Sequence, residues 1–412
     1  MLPDTRTRAC PCCSDDRAKT SDSSTFLRRF TGPEARELFA VFRPEGTPTN
    51  VARLAEAVYE EIAALLVAEG ASSDDLVCET LFFRDIRRDL GAVLEARGRV
   101  LGEASLESLR PLTTFVEQPP LDESAPFELS MSAVIPRQRW TASAAEVRGT
   151  PRCGCEACSL SGGRLVNLGD QTSLHAGNIH GLGGNAFDEA YDMFCSAESL
   201  LEKAGMSFRD VLRTWIYLRD IDRDYEALNQ ARRQFFRHRG IELRPASTGV
   251  GAGFFSGAHN LSMKLYAVRS PRPLEVDLMS ASSLGEAWEY GADFSRGLRV
   301  VEANKIALYI AGTASIDEAG RTVHAGEFES QVDRMLMNIS SLLGAQGASF
   351  RDVMSAVTYL KRPRDGARLR VVFRDHGFDG FPTTLVAAPL CRPDLLCETE
   401  VVAALPLPHA TA

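Results

Sequence analysis

The sequence predicts an α+β protein in which three domains of one kind follow each other along the chain. The main observation is a pattern that occurs three times, as EGASSDDLVCETLFFRDI, KAGMSFRDVLRTWIYLRDI and AQGASFRDVMSAVTYLKRP. Asp75, Asp210 and Asp352 occupy the same place in the three copies, so the copies lie about one domain length apart. A repeat period well above ~50 residues indicates repeated domains rather than a solenoid.

Each copy is surrounded by the same predicted elements, which justify the α+β class. Amphipathic helices are predicted before the copies, over 51–68, 188–204 and 329–344. The copies end in alternating apolar residues, which is typical of a half-buried strand. A proline landmark follows (RPLTT, RPAST or FPTTL), and then a further apolar strand, predicted over 127–135, 261–268 and 395–405. Helices on one face of a mixed sheet form an α+β layer.

The remaining elements set the domain boundaries. Opening strands are predicted over 166–174 and 306–316, and second helices over 225–238 and 366–376. The first domain is the most degraded copy, with an opening hairpin predicted around 39–43. The chain therefore divides into a polar tail at 1–24, a degenerate domain at 25–136, a cysteine-containing linker at 137–163, and domains at 164–270 and 284–406.

Composition and charge restrict the partners of the protein. The 412 residues are 44% hydrophobic and 25% charged, which is ordinary for globular domains. The formal net charge of −9 argues against nucleic acid or an anionic membrane as a partner, since both require basic patches. No stretch reaches ~18 consecutive apolar residues, so no membrane span is predicted. The N-terminus has no apolar signal-peptide core, which predicts a cytoplasmic location.

The third domain resembles a known family. The stretch LYIAGTASIDEAGRTVHAGEFESQVDRMLMNISSLLGAQGASFRDVMSAVTYLKR resembles the Rid/YjgF family, which has a chorismate-mutase-like α+β fold and assembles as trimers. The resemblance implies that three tandem Rid-like domains form a pseudo-trimer within one chain. We therefore expect a closed ring with sheets inside and helices outside, present as a monomer or a homodimer. It also implies that working sites lie in the clefts between neighbouring domains.

The arginine with which Rid deaminases hold a carboxylate is missing from all three copies. Its position is taken by Thr113, Ser247 and Thr384, and neither Ser nor Thr supplies a bidentate guanidinium. This argues against ordinary imine or enamine deamination, and it leaves Thr384 as a candidate substrate contact. The family's glutamate on the last strand is present as Glu398, with Glu128 as a counterpart in the first domain. The three clefts are consequently expected to differ in chemistry.

The stretches RPASTGVGAG, EYGADFSRG, AGTASI and CRPDLLCETE resemble the chorismatases. These are Rid-fold hydrolases that remove pyruvate from chorismate. The resemblance implies that Glu398 is a general acid/base, and that Cys391 and Gly297 mark the branch that forms 3-hydroxybenzoate. The chain departs from that family in the strand TLVAAPL before Cys391, in the segment before the YG pair and in the loop after GTASI.

The residues themselves support several roles, each with a structural alternative. Glu398 lies in a half-apolar strand, where a carboxyl tends to have a raised pKa suited to acid/base work; the alternative is an ion-paired or exposed glutamate. Cys391 is a nucleophile, a shaping thiol or a small buried apolar residue. Arg296 is a clamp for a substrate carboxylate or a surface arginine. Arg213 and Tyr217 share one face of a core strand and are candidate substrate contacts, although Arg213 could instead be paired within the core.

Six of the ten cysteines fall in two clusters, which suggests thiolate metal ligation. One cluster is CPCC at 10–13, and the other consists of Cys153, Cys155 and Cys158 in the linker. Close spacing in a cytoplasmic chain suits a metal better than disulfides. Three linker thiolates and one tail thiolate would complete a tetrahedral zinc site. The alternative is a reduced, flexible linker without metal, since zinc sites are strict about ligand number.

Two classes of function are compatible with the sequence. The first is a hydrolase or lyase acting on a small anionic enol ether or enamine, with chorismate as the leading substrate and hydroxybenzoate and pyruvate as products. The second is a non-catalytic, ligand-sensing Rid-family protein, or an imine or enamine deaminase with a departed active site. Neither requires a cofactor, and structural zinc at the cysteine clusters is compatible with both. Convergence of Glu398, Cys391, Arg296 and Gly297 on one pocket would favour the enzyme.

Overall fold

A computed structural model describes residues 13–20, 23–45, 50–102, 113–138 and 144–408. Within these residues it contains three six-stranded mixed sheets, each with helices packed on one face. The predicted α+β class with three tandem units is thereby confirmed. None of the described helices is long and apolar enough to cross a membrane. We name the three sheets with their helices unit 1, unit 2 and unit 3 in chain order.

Unit 1 begins with the polar N-terminal segment. Its strands are β1 (Cys13–Thr20), β2 (Ser23–Thr31), β3 (Ala35–Pro44), β4 (Leu76–Phe83), β5 (Thr113–Glu117) and β6 (Phe127–Pro136). Its helices are α1 (Val51–Ala68) and α2 (Ile86–Leu101). The strand order is β1-β2-β3-β6-β4-β5, in which β4 and β5 are parallel and the other neighbours are antiparallel.

Unit 2 repeats this plan and adds a short helix. Its strands are β7 (Ala144–Arg148), β8 (Gly162–Leu168), β9 (Gln171–Ile179), β10 (Val211–Leu218), β11 (Ala246–Gly251) and β12 (Leu261–Arg269). Its helices are α3 (Glu156–Ser159), α4 (Ala186–Lys203) and α5 (Ile221–Arg239). The strand order is β11-β10-β12-β9-β8-β7, with β10 and β11 parallel.

Unit 3 has the same strand connectivity. Its strands are β13 (Val276–Leu278), β14 (Gly297–Val301), β15 (Ile306–Ala314), β16 (Val353–Leu360), β17 (Thr383–Ala387) and β18 (Cys397–Leu405). Its helices are α6 (Phe328–Gly344) and α7 (Gly366–Asp375). The strand order is β13-β14-β15-β18-β16-β17, with β16 and β17 parallel.

A repeated turn explains why the three aspartates fall in register. Each copy enters its central strand through a short 3-10 turn that follows Ser72, Ser207 or Ser349. In unit 2 the Asp210 carboxylate accepts hydrogen bonds from the backbone nitrogen of Ser207 at 2.7 Å and from its hydroxyl at 3.2 Å. This reciprocal capping satisfies backbone donors at the start of the turn. The repeat therefore marks the point where β4, β10 and β16 begin.

The observed elements differ from the predicted ones mainly at the sheet edges. β1 lies in the segment predicted to be a polar tail, and β7 and α3 lie in the predicted linker. The strand predicted over 166–174 is in fact two strands, because Gly169 adopts a φ of 58° and turns the chain. The proline landmarks lead into short strands of their own, β5, β11 and β17, which pair in parallel with the central strands.

The three units contact one another through the inner faces of their sheets. The opposite faces pack on helices and form a separate core in each unit. A further apolar cluster combines all three units, with Phe82 and Val116 from unit 1, Tyr217 from unit 2, and Tyr359 and Val386 from unit 3. Backbone hydrogen bonds join the three pairs of units: Glu117 N to Gly253 O, Gly251 N to Pro389 O, and Leu121 N to Leu385 O. Each unit thus contacts both others, as a closed ring requires.

Candidate active site

A cleft between units 2 and 3, here called the 2–3 cleft, brings together several of the predicted site residues. It encloses about 280 Å³. Glu398, Cys391 and Arg296 line it, so three of the four residues expected to converge do so. Helix α5 of unit 2 supplies the facing wall through Tyr225, Glu226, Leu228, Asn229 and Arg232. The cleft therefore combines an acid, a thiol and cationic side chains from two units.

Glu398 occupies the second position of β18 and is only 4% exposed. Its carboxyl fits against β15 because Gly312 has no side chain; a β-carbon there would collide with it. Burial raises the pKa of Glu398 to about 8, and the charge of Glu400 acts in the same direction, whereas Arg296 and Arg213 oppose the shift. The carboxyl is therefore mostly protonated at neutral pH, as a general acid must be.

Glu400 faces the same side of β18, two residues further on, and forms a buried ion pair between units. Its Oε2 accepts a hydrogen bond from Nη2 of Arg213 at 2.8 Å, and its Oε1 accepts one from Nε1 of Trp215 at 2.6 Å. The Arg213 guanidinium also lies 4.7 Å from the centroid of the Trp215 ring. These donors fix the position of the Glu400 charge beside Glu398.

Four residues predicted to contact the substrate lie outside the 2–3 cleft. Arg213 is the paired partner of Glu400, and Tyr217 packs in the cluster shared by the three units. A β-carbon on Gly297 would lie 3.0 Å from the sulfur of Met279, so the lack of a side chain at this position makes room for Met279. Thr384 is fully buried on β17, at the junction of units 3 and 1.

Arg296 is a buried cation on the unit 3 side of the cleft. Its Nε donates a hydrogen bond to the carbonyl of Gly285 at 3.2 Å, and its guanidinium lies 5.4 Å from the centroid of the Phe294 ring. Burial lowers the pKa of Arg296 to about 10, against the opposing effect of Glu286. Arg296 therefore remains protonated at neutral pH.

Arg232 is a functional candidate that the sequence analysis missed. It lies on α5, is 4% exposed and lines the 2–3 cleft. Its Nη1 donates to Oγ of Ser247 at 3.3 Å, and its Nη2 donates to Oδ1 of Asn229 at 2.5 Å. Ser247 stands at the position of the family's missing arginine. A guanidinium from the helix thus lies beside the place that the strand arginine would occupy.

The internal repeat shows why Arg232 is available for a ligand. Its counterpart in unit 1, Arg97, donates from Nε to Glu79 at 3.1 Å in a buried ion pair. In unit 2 the place of Glu79 is taken by Thr214, whose hydroxyl donates to Ser247 at 2.8 Å. Among the residues that the structure describes, no carboxylate forms an ion pair with Arg232. Alignment of the repeats would have exposed this difference in the sequence.

Cys391 lies at the cleft as a protonated thiol. Burial raises its pKa to about 12, and the neighbouring Glu398 acts in the same direction, while Tyr225 opposes the shift through a hydrogen bond. The thiolate is the nucleophilic form of cysteine, so these surroundings do not favour nucleophilic catalysis. The geometry supports the alternative of a thiol that shapes the cleft.

The other two junctions carry different side chains at the equivalent positions. At the junction of units 3 and 1, Glu128 takes the place of Glu398, and its Oε2 accepts a hydrogen bond from Nε of Arg43 at 3.1 Å. Its Oε1 accepts another from the backbone of Leu385 at 3.3 Å. At the junction of units 1 and 2 the equivalent residue is Ser262, which has no carboxyl. The three junctions therefore differ in chemistry, as the sequence predicted.

The linker cysteines predicted as metal ligands lie apart from this cleft, at the junction of units 1 and 2. The thiols of Cys153, Cys155 and Cys158 meet the imidazole of His259 there. The sequence analysis missed His259, which is 101 residues from Cys158. Of the tail cluster, residues 10–12 lie outside the described residues, and Cys13 begins β1.

Comparisons with known proteins identify a family for units 2 and 3 and several relatives of the chain. The sequence model of the endoribonuclease L-PSP family matches residues 161–268 and 291–405, more than half of the chain. A RutC family protein of Pyrococcus horikoshii is 31% identical over 97 residues, which cover 23% of this chain and 77% of that protein. A RutC family protein of Saccharolobus solfataricus is 30% identical over 112 residues, covering 27% of this chain and 85% of that protein.

Two further relatives extend over more of the chain. A 3-hydroxybenzoate synthase of Streptomyces hygroscopicus is 26% identical over 229 residues, which cover 49% of this chain and 65% of that protein. The crystal structure of a chorismatase matches with a TM-score of 0.58 and 20% identity, covering 80% of this chain and 93% of that chain. At this identity the structural match shows a shared fold.

The pKa of Glu398 predicts a pH-dependent effect of Glu398→Gln on stability. Because the pKa is raised from 4.5 to about 8 in the folded protein, the unfolded chain loses this proton first as the pH rises. The free energy of unfolding of the wild type therefore falls by roughly 1.4 kcal/mol per pH unit between these two pKa values. Glutamine does not titrate, so the variant shows no such decrease. The difference between the urea midpoints of unfolding of the variant and the wild type should therefore change with pH. It should favour the variant more at pH 8.5 than at pH 5. Glu226→Gln, at an exposed carboxyl of the same cleft, is the control; a pH-independent difference for Glu398→Gln would contradict the raised pKa.

Proposed function

Because the chain belongs to the endoribonuclease L-PSP (Rid/YjgF) family, we propose that its 2–3 cleft is the active site of a hydrolase or lyase for a small anionic enol ether. Chorismate is the leading substrate, with a hydroxybenzoate and pyruvate as products. The observation that carries the proposal is the buried carboxyl of Glu398, whose pKa of about 8 places its proton in a cleft lined by two buried arginines.

The role proposed for Glu398 follows from the chemistry of enol ethers. Their cleavage begins with transfer of a proton to the methylene carbon, which leaves a cation stabilised by the ether oxygen. An acid for this step must hold a proton at neutral pH and must be positioned against the substrate. Glu398 meets the first requirement through burial and the neighbouring Glu400, and Gly312 leaves space for its carboxyl. The bond between the ether oxygen and the ring carbon then breaks, which releases pyruvate and leaves a cation on the ring. The carboxylate of Glu398 can accept the proton that this cation loses as the ring becomes aromatic.

The charges of the cleft suit a substrate with carboxylate groups. Arg232 of unit 2 and Arg296 of unit 3 both line the cleft and are buried, and their guanidinium groups lie 5.5 and 5.4 Å from the centroid of the same Phe294 ring. Planar guanidinium groups bind carboxylates through paired hydrogen bonds. Chorismate carries two carboxylates, one on the ring and one on the enolpyruvyl group, and the two arginines supply one guanidinium for each. The similarity to a 3-hydroxybenzoate synthase supports a hydroxybenzoate as the product.

The proposed products contain all the atoms of chorismate, so the overall reaction consumes neither water nor an oxidant. Release of a dihydrodiol would instead consume one water molecule. Cys391 lines the cleft and is proposed to fill space beside the ring, which favours loss of a ring proton and aromatisation over water attack. Gly297 does not line the cleft. We propose that it acts indirectly, because it allows β14 to pass close to Met279.

The second candidate function is ligand sensing without catalysis, or deamination by an active site that differs from the Rid family pattern. It is favoured by the lack of the family's arginine at Thr113, Ser247 and Thr384. The position of Arg232 beside Ser247 weakens this argument, since a guanidinium is supplied from the helix. Binding of chorismate without release of pyruvate would favour the sensor.

Glu398→Gln is expected to abolish release of pyruvate from chorismate while the protein remains folded. Glutamine preserves the size of the side chain but cannot transfer the proton, and general acid catalysis typically contributes ~10²–10⁴-fold. Pyruvate is measured with a coupled lactate dehydrogenase assay, and Glu202→Gln, at an exposed carboxyl of α4 outside the cleft, serves as the control. Activity of Glu398→Gln within a few-fold of wild type would remove Glu398 as the acid, and a wild type that is inactive on chorismate would reject this substrate.

Arg232→Gln is expected to raise KM for chorismate and to lower kcat/KM by roughly 10- to 100-fold. A hydrogen bond to a charged group contributes ~1.5–3 kcal/mol, and each 1.4 kcal/mol corresponds to a factor of ten. Arg237→Gln changes an exposed arginine of the same helix and should leave kcat/KM unchanged. Equal effects of the two substitutions would show that Arg232 does not bind the substrate.

Cys391→Ala is expected to shift the products from hydroxybenzoate towards the dihydrodiol. Removal of the sulfur leaves space for water beside the ring, and water attack then competes with aromatisation. Liquid chromatography with mass spectrometry separates the two products, which differ by one water molecule. Cys195→Ala, on α4 and outside the cleft, is the control. An unchanged product ratio in Cys391→Ala would contradict this role.

A further inference from the structure

We propose that Cys153, Cys155, Cys158 and His259 bind one structural zinc ion at the junction of units 1 and 2. Three cysteines and one histidine form a recognised ligand set of structural zinc sites, which are tetrahedral and have no open position. The proposal is independent of the reaction in the 2–3 cleft. It replaces the tail thiolate expected from the sequence with a histidine of unit 2.

The donor atoms of these four residues converge on one point. Sγ of Cys153 lies 3.0 Å from Sγ of Cys155 and from Sγ of Cys158. Nε2 of His259 lies 3.5, 3.2 and 3.3 Å from the same three sulfurs in sequence order. Bonds of ~2.3 Å to sulfur and ~2.0 Å to nitrogen place the donors of a tetrahedral zinc site roughly 3.5–3.8 Å apart. Small outward shifts therefore accommodate one ion, whereas a cluster of several metals does not fit.

The imidazole of His259 is oriented for coordination through Nε2. Its Nδ1 lies 3.0 Å from the carbonyl oxygen of Gly181, so Nδ1 carries the proton and donates it. A backbone carbonyl on the far nitrogen is a common partner of zinc-bound histidine. The ring stacks on His180 at 4.6 Å between centroids, and Arg219 donates to the carbonyl oxygen of His259. His259 is only 1% exposed, so its Nε2 faces the three sulfurs in place of solvent.

The position of the cluster indicates a structural role. Leu160, two residues after Cys158, packs into the apolar core of unit 1. Asn178 of unit 2 donates to the carbonyl oxygen of Thr113 in unit 1 at 2.7 Å and also lies within hydrogen-bonding distance of the Leu160 carbonyl. A metal ion that joins the linker to the loop before β12 would therefore stabilise the contact between units 1 and 2.

The same position explains why this junction differs from the 2–3 cleft. His259 precedes β12 by two residues, and Leu395 precedes β18 by two residues and lines the 2–3 cleft. The proposed metal site at the junction of units 1 and 2 thus uses a residue whose counterpart at the other junction lines the wall of the 2–3 cleft. In this proposal the junction of units 1 and 2 has a structural role and stabilises the contact between these two units.

The test measures metal in the purified full-length protein by inductively coupled plasma mass spectrometry. One zinc ion per chain is expected, and exchange for cobalt(II) should give the absorption of a tetrahedral thiolate site. Cys158→Ser and His259→Ala should lower the zinc content at least tenfold, whereas His259→Cys, which supplies a fourth thiolate, should retain it. Removal of zinc from the wild type by a chelator should increase hydrogen exchange in residues 149–161 and leave exchange in β18 unchanged.

Controls separate this site from the tail cysteines and from a disulfide. A variant with Cys10, Cys12 and Cys13 all changed to serine should keep one zinc ion per chain, as should Cys195→Ser. Loss of zinc from the tail variant would overturn His259 as the fourth ligand. Wild-type protein that contains no zinc and takes up no cobalt(II) when reduced would overturn the metal site. If His259→Ala fails to fold, zinc retention by His259→Cys and the wild-type cobalt(II) spectrum decide the question.

Discussion

The buried ion pair between Arg213 of unit 2 and Glu400 of unit 3 is the interaction on which the proposed chemistry depends. Its net contribution to stability is small when the cost of removing both charges from water is included, but loss of one partner costs ~3–5 kcal/mol. The pair therefore fixes a negative charge at one place in the junction. Burial at the junction is the largest cause of the raised pKa of Glu398, the charge of Glu400 adds to it, and the charge of Arg213 opposes it. The acidity of Glu398 in unit 3 therefore depends on the docking of unit 2, which supplies Arg213.

The internal repeat provides a natural comparison for the 2–3 cleft. Arg97 and Arg232 occupy the same position in α2 and α5, and the strand position of Glu79 in unit 1 is occupied by Thr214 in unit 2. With the glutamate present, the arginine forms a buried ion pair. With threonine in its place, the guanidinium faces a cavity. A single change of residue type thus separates a core ion pair from a candidate anion-binding group.

Sequence patterns predicted the long-range organisation better than the sheet edges. The three units follow from the repeated serine–aspartate turn, and the central strands follow from their apolar alternation. The edge strands β1, β7 and β13 are short or polar, so periodicity carries little information about them. Their formation depends on hydrogen bonds to a neighbouring strand, which no local pattern records.

The candidate site was predicted where its residues lie in recognisable motifs and was missed where distant segments meet. Glu398, Cys391 and Arg296 stand in such motifs and line the 2–3 cleft. Arg232 looks like any helix arginine until the opposing strand residue is known. His259 is remote from the cysteines in the chain, and its place beside them arises from the packing of the linker against unit 2.

Covalent joining of the three units has a consequence for how their junctions can change. In an assembly of three identical subunits, one codon determines the same residue at all three junctions, so every substitution is made in triplicate. Here Glu398, Glu128 and Ser262 are encoded separately. Each junction can therefore diverge while the others keep their own packing, which allows a symmetric ancestor to become an asymmetric molecule with a division of labour among its interfaces.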